Sequence, residues 1–366
     1  MNTSCRAGAE LAVTGVGIVS PWGDTPEAAD DARGAAVPGT YEWFDHRARL
    51  GPRGYRYLPP AAQYALAAAR TALDDGGRPQ AVPADRRALL LATNAGPAEL
   101  LDAMDGVVLA EGAAGISPAS APYFAVNVLG NRLAAELSLT GFALTVATAR
   151  TAALDALSAG ALALAAGRCD SLVLAAVEEP PPARAAAGPG RPGEQGAGVF
   201  TLESVAGARA RGAAVTATLR ARSLFLPPTA LDRAEGRARA GQVLTDALAA
   251  LLVPPEGDAA PGGSAPPLLR LDLDDSPVSE AVAVAVAGLG ASVTEADDAG
   301  GAGRAVHPGR RTGCLGPALA VARAVTARDT RRRLVVCASG AGHVALVRAS
   351  PGPSHHSQES EHAEVA

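Results

Sequence analysis

At 366 residues the chain can hold one large domain or two smaller ones sharing a core, so a miniature scaffold is excluded. With 48% hydrophobic residues, 19% charged residues and a net charge of −5, its composition is globular, and nucleic acid is excluded as a principal partner because there is no basic surplus for phosphate contacts. All 32 basic residues are Arg, and without a Lys no Schiff-base chemistry is open to it.

Aromatics are only 3% while Gly and Pro number 41 and 28, so the core must be built from Ala, Val and Leu between tight turns, as in close-packed α/β layers. Residues 11–20 (LAVTGVGIVS) are rich in β-branched residues and read as a strand, after which Asp24 and Thr25 open a helical pattern. Residues 63–75 place Leu66, Ala69 and Leu73 at helical spacing and stop at Gly76 and Gly77; residues 88–93 (ALLLAT) read as a buried strand. A helix is expected over 98–110, with Leu101, Met104 or Asp105, and Val108 on one core-facing stripe. A second strand–helix–strand unit follows at 143–148, 152–166 and 171–177, ahead of a Pro/Gly/Arg-rich stretch at 180–193. Beyond it, strands are expected at 196–202, 213–219 and 268–273, helices at 239–252, 277–289 and 316–327, and a closing hairpin at 333–338 and 343–348. The rhythm predicts two similar halves, 1–204 and 205–350, with loops at 254–267 and 296–303 and a polar, disordered tail at 351–366.

The cysteines, Cys5, Cys169, Cys314 and Cys337, lie far apart with no C-x-x-C pair, so neither a zinc knuckle nor a disulfide framework is expected. No basic region followed by an apolar run opens the sequence, and the most apolar stretch, 152–166, contains Asp155. A soluble, cytoplasmic protein is therefore expected, with no membrane partner. No cofactor or metal is expected either: His355, His356 and His362 read as solvated tail residues rather than ligands.

Several blocks, taken in order, resemble the β-ketoacyl synthase family, the condensing enzymes of fatty acid and polyketide synthesis. Val13-Thr14-Gly15-Val16-Gly17 with Ser20-Pro21 and Gly23 is similar to the family's opening V-T-G-x-G…S-P-x-G, and Gln63-Tyr64-Ala65 with Ala68-Ala69 resembles its early helix. Ser117-Pro118, Phe124-Ala125-Val126-Asn127 and Leu144-Thr145-Val146-Ala147-Thr148-Ala149 follow in the order and spacing the family uses ahead of its nucleophile. Gly196-Ala197-Gly198 after Arg191-Pro192 resembles its later E-G-A-G segment. The resemblance spans nearly the whole chain and implies a thiolase-like α/β fold, two pseudo-symmetric halves in layered α/β/α/β/α arrangement.

The departures fall on the chemistry. Where the family has its nucleophilic Cys, at a sharp strand-to-helix turn, this sequence has Arg150, which stays protonated and offers no lone pair to a thioester. The family's two catalytic His are also missing: residues 268–280 (LLRLDLDDSPVSE) contain none, and Cys314, after Thr312 and Gly313, stands where the second would be. The gating loop survives as Ala338-Ser339-Gly340-Ala341-Gly342, with Ser339 near the usual gating Phe. The resemblance thus marks Arg150, Cys314, Asp274 and Ser339 as vestigial active-site positions, a pseudo-enzyme pattern with no catalytic residue.

Within the family this pattern resembles the chain length factor, the non-catalytic β subunit of type II polyketide synthases. The resemblance implies a heterodimer with an active ketosynthase α subunit, an acyl tunnel bounded by this chain, and a polyketide carried on the phosphopantetheine of an acyl carrier protein. On that reading Leu101, Met104 and Val108 wall the tunnel, while Phe124, Asn127, Thr145 and Ala147 lie at the dimer interface. Aromatic-polyketide factors usually carry Gln at the nucleophile position; with Arg150 there, a reducing, polyene-making system is equally compatible. The alternatives are an acyltransferase or cyclase using Thr148, Thr151 or Cys314, and a purely structural homodimeric scaffold. Residue by residue, Arg150 is expected to pair with a buried carboxylate, Cys337 and Cys314 to act as small buried hydrophobes, and Asp274 and Asp275 to cap the helix after them. His307 and His343 read as loop or surface residues.

Overall fold

A computed structural model describes residues 9–31, 42–56, 58–75, 81–94, 96–118, 125–179, 194–253, 267–289, 313–329 and 331–352. The first half of the chain contains β1 (Leu11–Val19), α1 (Pro26–Asp31), α2 (His46–Leu50), α3 (Pro60–Asp75), β2 (Arg87–Ala92), α4 (Ala98–Glu111), α5 (Asn127–Leu137), β3 (Ala143–Val146), α6 (Ala152–Ala165), β4 (Ser171–Glu178) and β5 (Gly196–Ser204). The second contains α7 (Val205–Ala210), β6 (Ala217–Phe225), α8 (Ala234–Leu252), β7 (Leu268–Asp272), α9 (Pro277–Ala287), α10 (Leu315–Thr326), β8 (Arg333–Ala338) and β9 (His343–Pro351).

Among the described residues the strands run in the order β3-β2-β4-β5-β1-β6-β9-β8-β7. The order is a repeat. β2 and β4 are parallel, and β5 and β1 then add antiparallel. In the second half β7 and β8 are parallel, and β9 and β6 add antiparallel in the same way. A short antiparallel pairing of Leu11, Ala12 and Val13 with Leu219, Thr218 and Ala217 joins the two. β3 therefore lies at one edge of the sheet and β7 at the other.

Alternation along the strands divides the core. Leu172, Leu174 and Ala176 of β4 and Val335 and Cys337 of β8 face a central layer made by α6 and α10. Val173, Ala175 and Val177 face outward onto α3 and α5, and Leu334 and Val336 face outward onto α8 and α9. The result is the α/β/α/β/α stack. A helix pressed between two sheets must be slim, which is why α6 is Ala-rich: a Cβ on its Gly160 would come within 2.5 Å of Leu172 Cδ2. Leu154 and Leu157 are fully buried in this layer, each contributing roughly 1.5–3 kcal/mol.

Three expectations are corrected. β6 begins at Ala217 rather than residue 213, because Val215 and Ala213 pack with Ala12 and Ala208 in a small satellite cluster before the strand starts. The stripe on α4 is not a continuous core face: Met104 is buried and Leu101 half-buried, but Val108 is 39% exposed. Among the described residues α4 packs chiefly on the single helical turn Ala113–Gly115 that follows it. Finally, α9 is capped by Ser276, whose hydroxyl accepts from the Ser279 N–H, and not by Asp274 or Asp275. No described helix is long and apolar enough to cross a membrane.

Candidate functional site

The turn between β3 and α6 is strained. Ala149 has φ +51°, a left-handed conformation costing a non-glycine residue roughly 1–3 kcal/mol, and a single helical turn, Ala149–Thr151, then leads into α6. This geometry sends the Arg150 side chain away from solvent and across to the second half of the chain. Its Nη1 donates to Asp272 Oδ1 at 2.8 Å, and the two side chains are only 7% and 15% exposed. Asp272 is available because β7 alternates: Leu269, Leu271 and Leu273 pack outward against α8 and α9, which turns Asp272, the register partner of Cys337, toward the central layer.

Asp274 organises the loop beside this pair. Its carboxylate accepts from the Ser279 hydroxyl at 2.7 Å, from the Gly340 N–H at 2.8 Å and from the Ser276 hydroxyl. Burial alone would raise its pKa, but the hydrogen bonds from Ser276, Gly340 and Ser279 and the nearby Arg150 charge outweigh burial and hold the carboxyl below its ordinary value. A pocket of about 370 Å³ opens on Leu273, Asp274, Asp275, Ser276 and Ser279. Ser339, buried, opens the β8–β9 turn: its N–H donates to the His343 carbonyl and its own carbonyl accepts from Gly342. The His343 ring packs edge-on against Phe225.

Two buried thiols flank the site. Cys337 Sγ lies 3.6 Å from the Arg150 carbonyl; burial, then the Asp272 charge, push its pKa well up, against the opposing pull of Arg150. Cys314 is fully buried at the start of α10, where a helix N-terminus would ordinarily favour thiolate. Burial and the carboxylates of Glu178 and Glu194 override that and push its pKa well up. Glu178 accepts from the Cys314 N–H at 2.9 Å and Glu194 from the Leu315 N–H at 2.9 Å, so buried acids, rather than an incoming ligand, complete the helix N-terminus. Gly313 is required beside them, because a Cβ there would sit 2.5 Å from Glu194 Oε2. The hydroxyls of Thr148 and Thr151 both donate to Asp155 Oδ2, at 2.6 and 2.8 Å.

The structure therefore brings Arg150, Asp274 and Ser339 into one neighbourhood, with Cys314 at the end of α10 nearby. Sequence reasoning missed Asp272, Glu178 and Glu194; the alternation of residues 268–275 and the acids closing an apolar strand were the available signals. Leu101, Met104 and Val108 lie apart on α4. Asn127 and Ala147 are exposed, and Thr145 is half-buried on the edge strand β3. Phe124, Thr312, His307, most of the two expected loops and residues 353–366 of the expected tail lie outside the described residues.

Residues 20–189 match the family model of the β-ketoacyl synthase N-terminal domain. Along 94% of its length the chain superposes on a type II polyketide synthase acyl-carrier protein–ketosynthase complex bound to the hexaketide, with a TM-score of 0.68, 16% identity and 100% of that chain covered. Over residues 20–189 the chain is similar to the β-ketoacyl synthase family, and as a whole it has the thiolase-like ketosynthase fold. A second ketosynthase-fold neighbour is the ishigamide ketosynthase/chain length factor, with a TM-score of 0.67 at 20% identity over 94% of this chain and 99% of the other. In sequence, the 3-oxoacyl-[acyl-carrier-protein] synthase 2 of Vibrio cholerae serotype O1 is 25% identical over 251 residues, 57% of this chain. The Vibrio harveyi enzyme of the same description is 26% identical over 253 residues. The match spans 61% of the length of these relatives. In this ketosynthase-fold chain the strained turn before α6 carries a guanidinium locked to a carboxylate.

Proposed function

We propose that this chain is a non-catalytic ketosynthase-like subunit of the chain length factor type, pairing with an active ketosynthase and bounding the acyl tunnel of a type II polyketide synthase. The observation that carries the reading is Arg150: the side chain at the turn before α6 is a buried cation paired with Asp272, and it cannot attack a thioester. On this reading Arg150 plugs the vestigial acyl site, and Cys314, Asp274 and Ser339 are the other vestigial positions. Substrate arrives on the phosphopantetheine arm of an acyl carrier protein and is elongated on the partner.

Two features of the free chain support a partner. β3 is an edge strand with Leu144 46% exposed, an unprotected edge of the kind that invites pairing. On α4, Val108 and Leu109 are 39% and 78% exposed, which supports reading Leu101, Met104 and Val108 as a tunnel wall at the margin of the chain's core. The test is co-expression with a ketosynthase that retains its Cys and both His, together with an acyl carrier protein. A stable heterodimer that makes polyketide, and loses it when this chain is left out, is the expected result. Condensation or acyl transfer by this chain alone would reject it in favour of an enzyme using Thr148 or Thr151, whose hydroxyls both bond Asp155.

A further inference from the structure

β6 and β9 set two arginines directly opposite each other, Arg220 and Arg348. Like charges in that position repel, and both are buried, at 9% and 1% exposure. Arg348 Nη1 donates to the carbonyls of Leu251 and Val253 at 3.0 and 2.8 Å, and Arg220 Nη1 to the Val253 carbonyl at 3.1 Å. The carboxylate shared by both is Glu10: its Oε1 lies 3.2 Å from Arg348 Nη2 and 3.9 Å from Arg220 Nε, and it also accepts from Thr218. The Nε of each arginine has no hydrogen-bond partner. Burial, then the Arg220 charge, hold the Arg348 guanidinium below its ordinary pKa, with Arg332 adding to the repulsion and Glu10 opposing it. Among the described residues one carboxylate, Glu10, thus faces two buried guanidiniums, which leaves an excess of positive charge in a low-dielectric setting.

A cavity of about 210 Å³ lies against this cluster, between α6, β6 and the end of α8. Arg220, Arg222, Leu162, Leu251 and the hydroxyl-bearing Ser158 and Ser223 are among the residues that line it. The other carboxylate close by, Asp155, is engaged by the hydroxyls of Thr148, Thr151 and Ser223. We propose that this cavity binds a small aliphatic carboxylate, whose head group pairs with Arg220 and Arg222 and whose short stem lies against Leu162 and Leu251. A carboxylate supplies a counter-charge for the exposed Arg222 and for Arg220, and the apolar lining disfavours an anion without a stem.

Hexanoate is the probe, titrated calorimetrically into the full chain, with hexanol and inorganic phosphate as controls for stem and charge. Saturable one-to-one binding of hexanoate is expected, with hexanol and phosphate both weaker. Arg222→Gln is expected to weaken hexanoate by about tenfold, the scale of one lost charge-assisted pair. Arg222 is exposed, so this variant folds as the parent does. Glu10→Gln removes the carboxylate that competes for Arg220 and should tighten binding even while lowering the thermal midpoint; if it does not fold, the Arg222→Gln comparison decides alone. Absent hexanoate binding, equal binding of hexanol or phosphate, or affinity indifferent to Arg222→Gln would each overturn the proposal.

Discussion

Removing one member of the Arg150–Asp272 pair tests how the two halves of the chain are held at the site. The side chains are 7% and 15% exposed and meet at 2.8 Å, so truncating either leaves a charge that water reaches poorly. Breaking a buried pair in this way costs about 3–5 kcal/mol, whereas replacing both partners by apolar groups of similar size is often neutral. For Asp272→Asn we expect about 3 kcal/mol, the low end, because the Asp274 carboxylate still faces the guanidinium and compensates part of its charge. For Arg150→Met we expect a similar loss, since Asp272 is the more hydrated partner. The double variant Arg150→Met with Asp272→Asn should lose no more than either single one, so that the cycle gives a coupling of about 3 kcal/mol or more. Equilibrium urea denaturation with unchanged m-values is the assay. Single variants that each lose less than about 1 kcal/mol, and that add, would place the pair among exposed ion pairs and refute the reasoning.

Further outcomes follow from the same geometry. Asp274 has a depressed pKa, so its stabilisation is complete above the unfolded value near about 3.9 and is lost as pH falls through the folded value. Asp274→Asn should therefore be less stable than the parent at pH 7, with the gap closing in acid, as read by urea midpoints. Burial raises the thiol pKa of Cys169 to about 11 and pushes those of Cys314 and Cys337 well up, so none of the three should react with Ellman's reagent at pH 8 until denaturant is added. Because these folded values lie above the unfolded one, their contribution to stability declines as pH rises past about 8.5. Val108→Arg, on the exposed end of α4, should change the stability of the lone chain by no more than about 0.5 kcal/mol yet abolish co-purification with the ketosynthase. Met104→Ala, at a buried position, should cost about 2 kcal/mol and lengthen the product if the α4 stripe walls the tunnel; an unchanged product length would reject that role.

The sequence revealed layers more readily than contacts. α6 and α10 were visible as Ala- and Leu-rich runs because a helix between two sheets is apolar nearly all round, and β4 and β8 because both of their faces are covered. α5 was not anticipated: it buries only Leu129, Gly130 and Leu133, too narrow a stripe to stand out beside Asn127, Asn131 and Arg132. β6 was misplaced because Arg220 and Arg222 interrupt its apolar pattern, and the burial of Arg220 depends on Glu10 and on a carbonyl at the end of α8, which no local window contains. The site shows the same division. Arg150 stood out in the sequence as a departure, but its partner is 122 residues away, and only the strand alternation of residues 268–275 separates Asp272 from Asp274 and Asp275. The acids at Glu178 and Glu194 cap α10 across the fold, a contact that exists only once the central layer has formed.

That arrangement bears on whether the nucleophile could be restored by one substitution. In Arg150→Cys the new thiol would stand at the start of α6, where the helix dipole favours thiolate by about 0.3–1 kcal/mol. It would also stand beside Asp272, whose counter-charge the substitution removes, and near Asp274. Two unit charges roughly 6 Å apart at an effective dielectric of 20 interact by about 3 kcal/mol, or about two pKa units, so the carboxylates outweigh the dipole and hold the thiol protonated. Iodoacetamide at pH 8 should thus alkylate Arg150→Cys more slowly than free cysteine, by about tenfold or more. Adding Asp272→Asn should recover much of that rate, because it removes the nearer carboxylate while leaving the turn intact. A single variant that alkylates as fast as free cysteine would mean that the dipole prevails. In that case Asp272 and Asp274 would not govern the chemistry open to this turn.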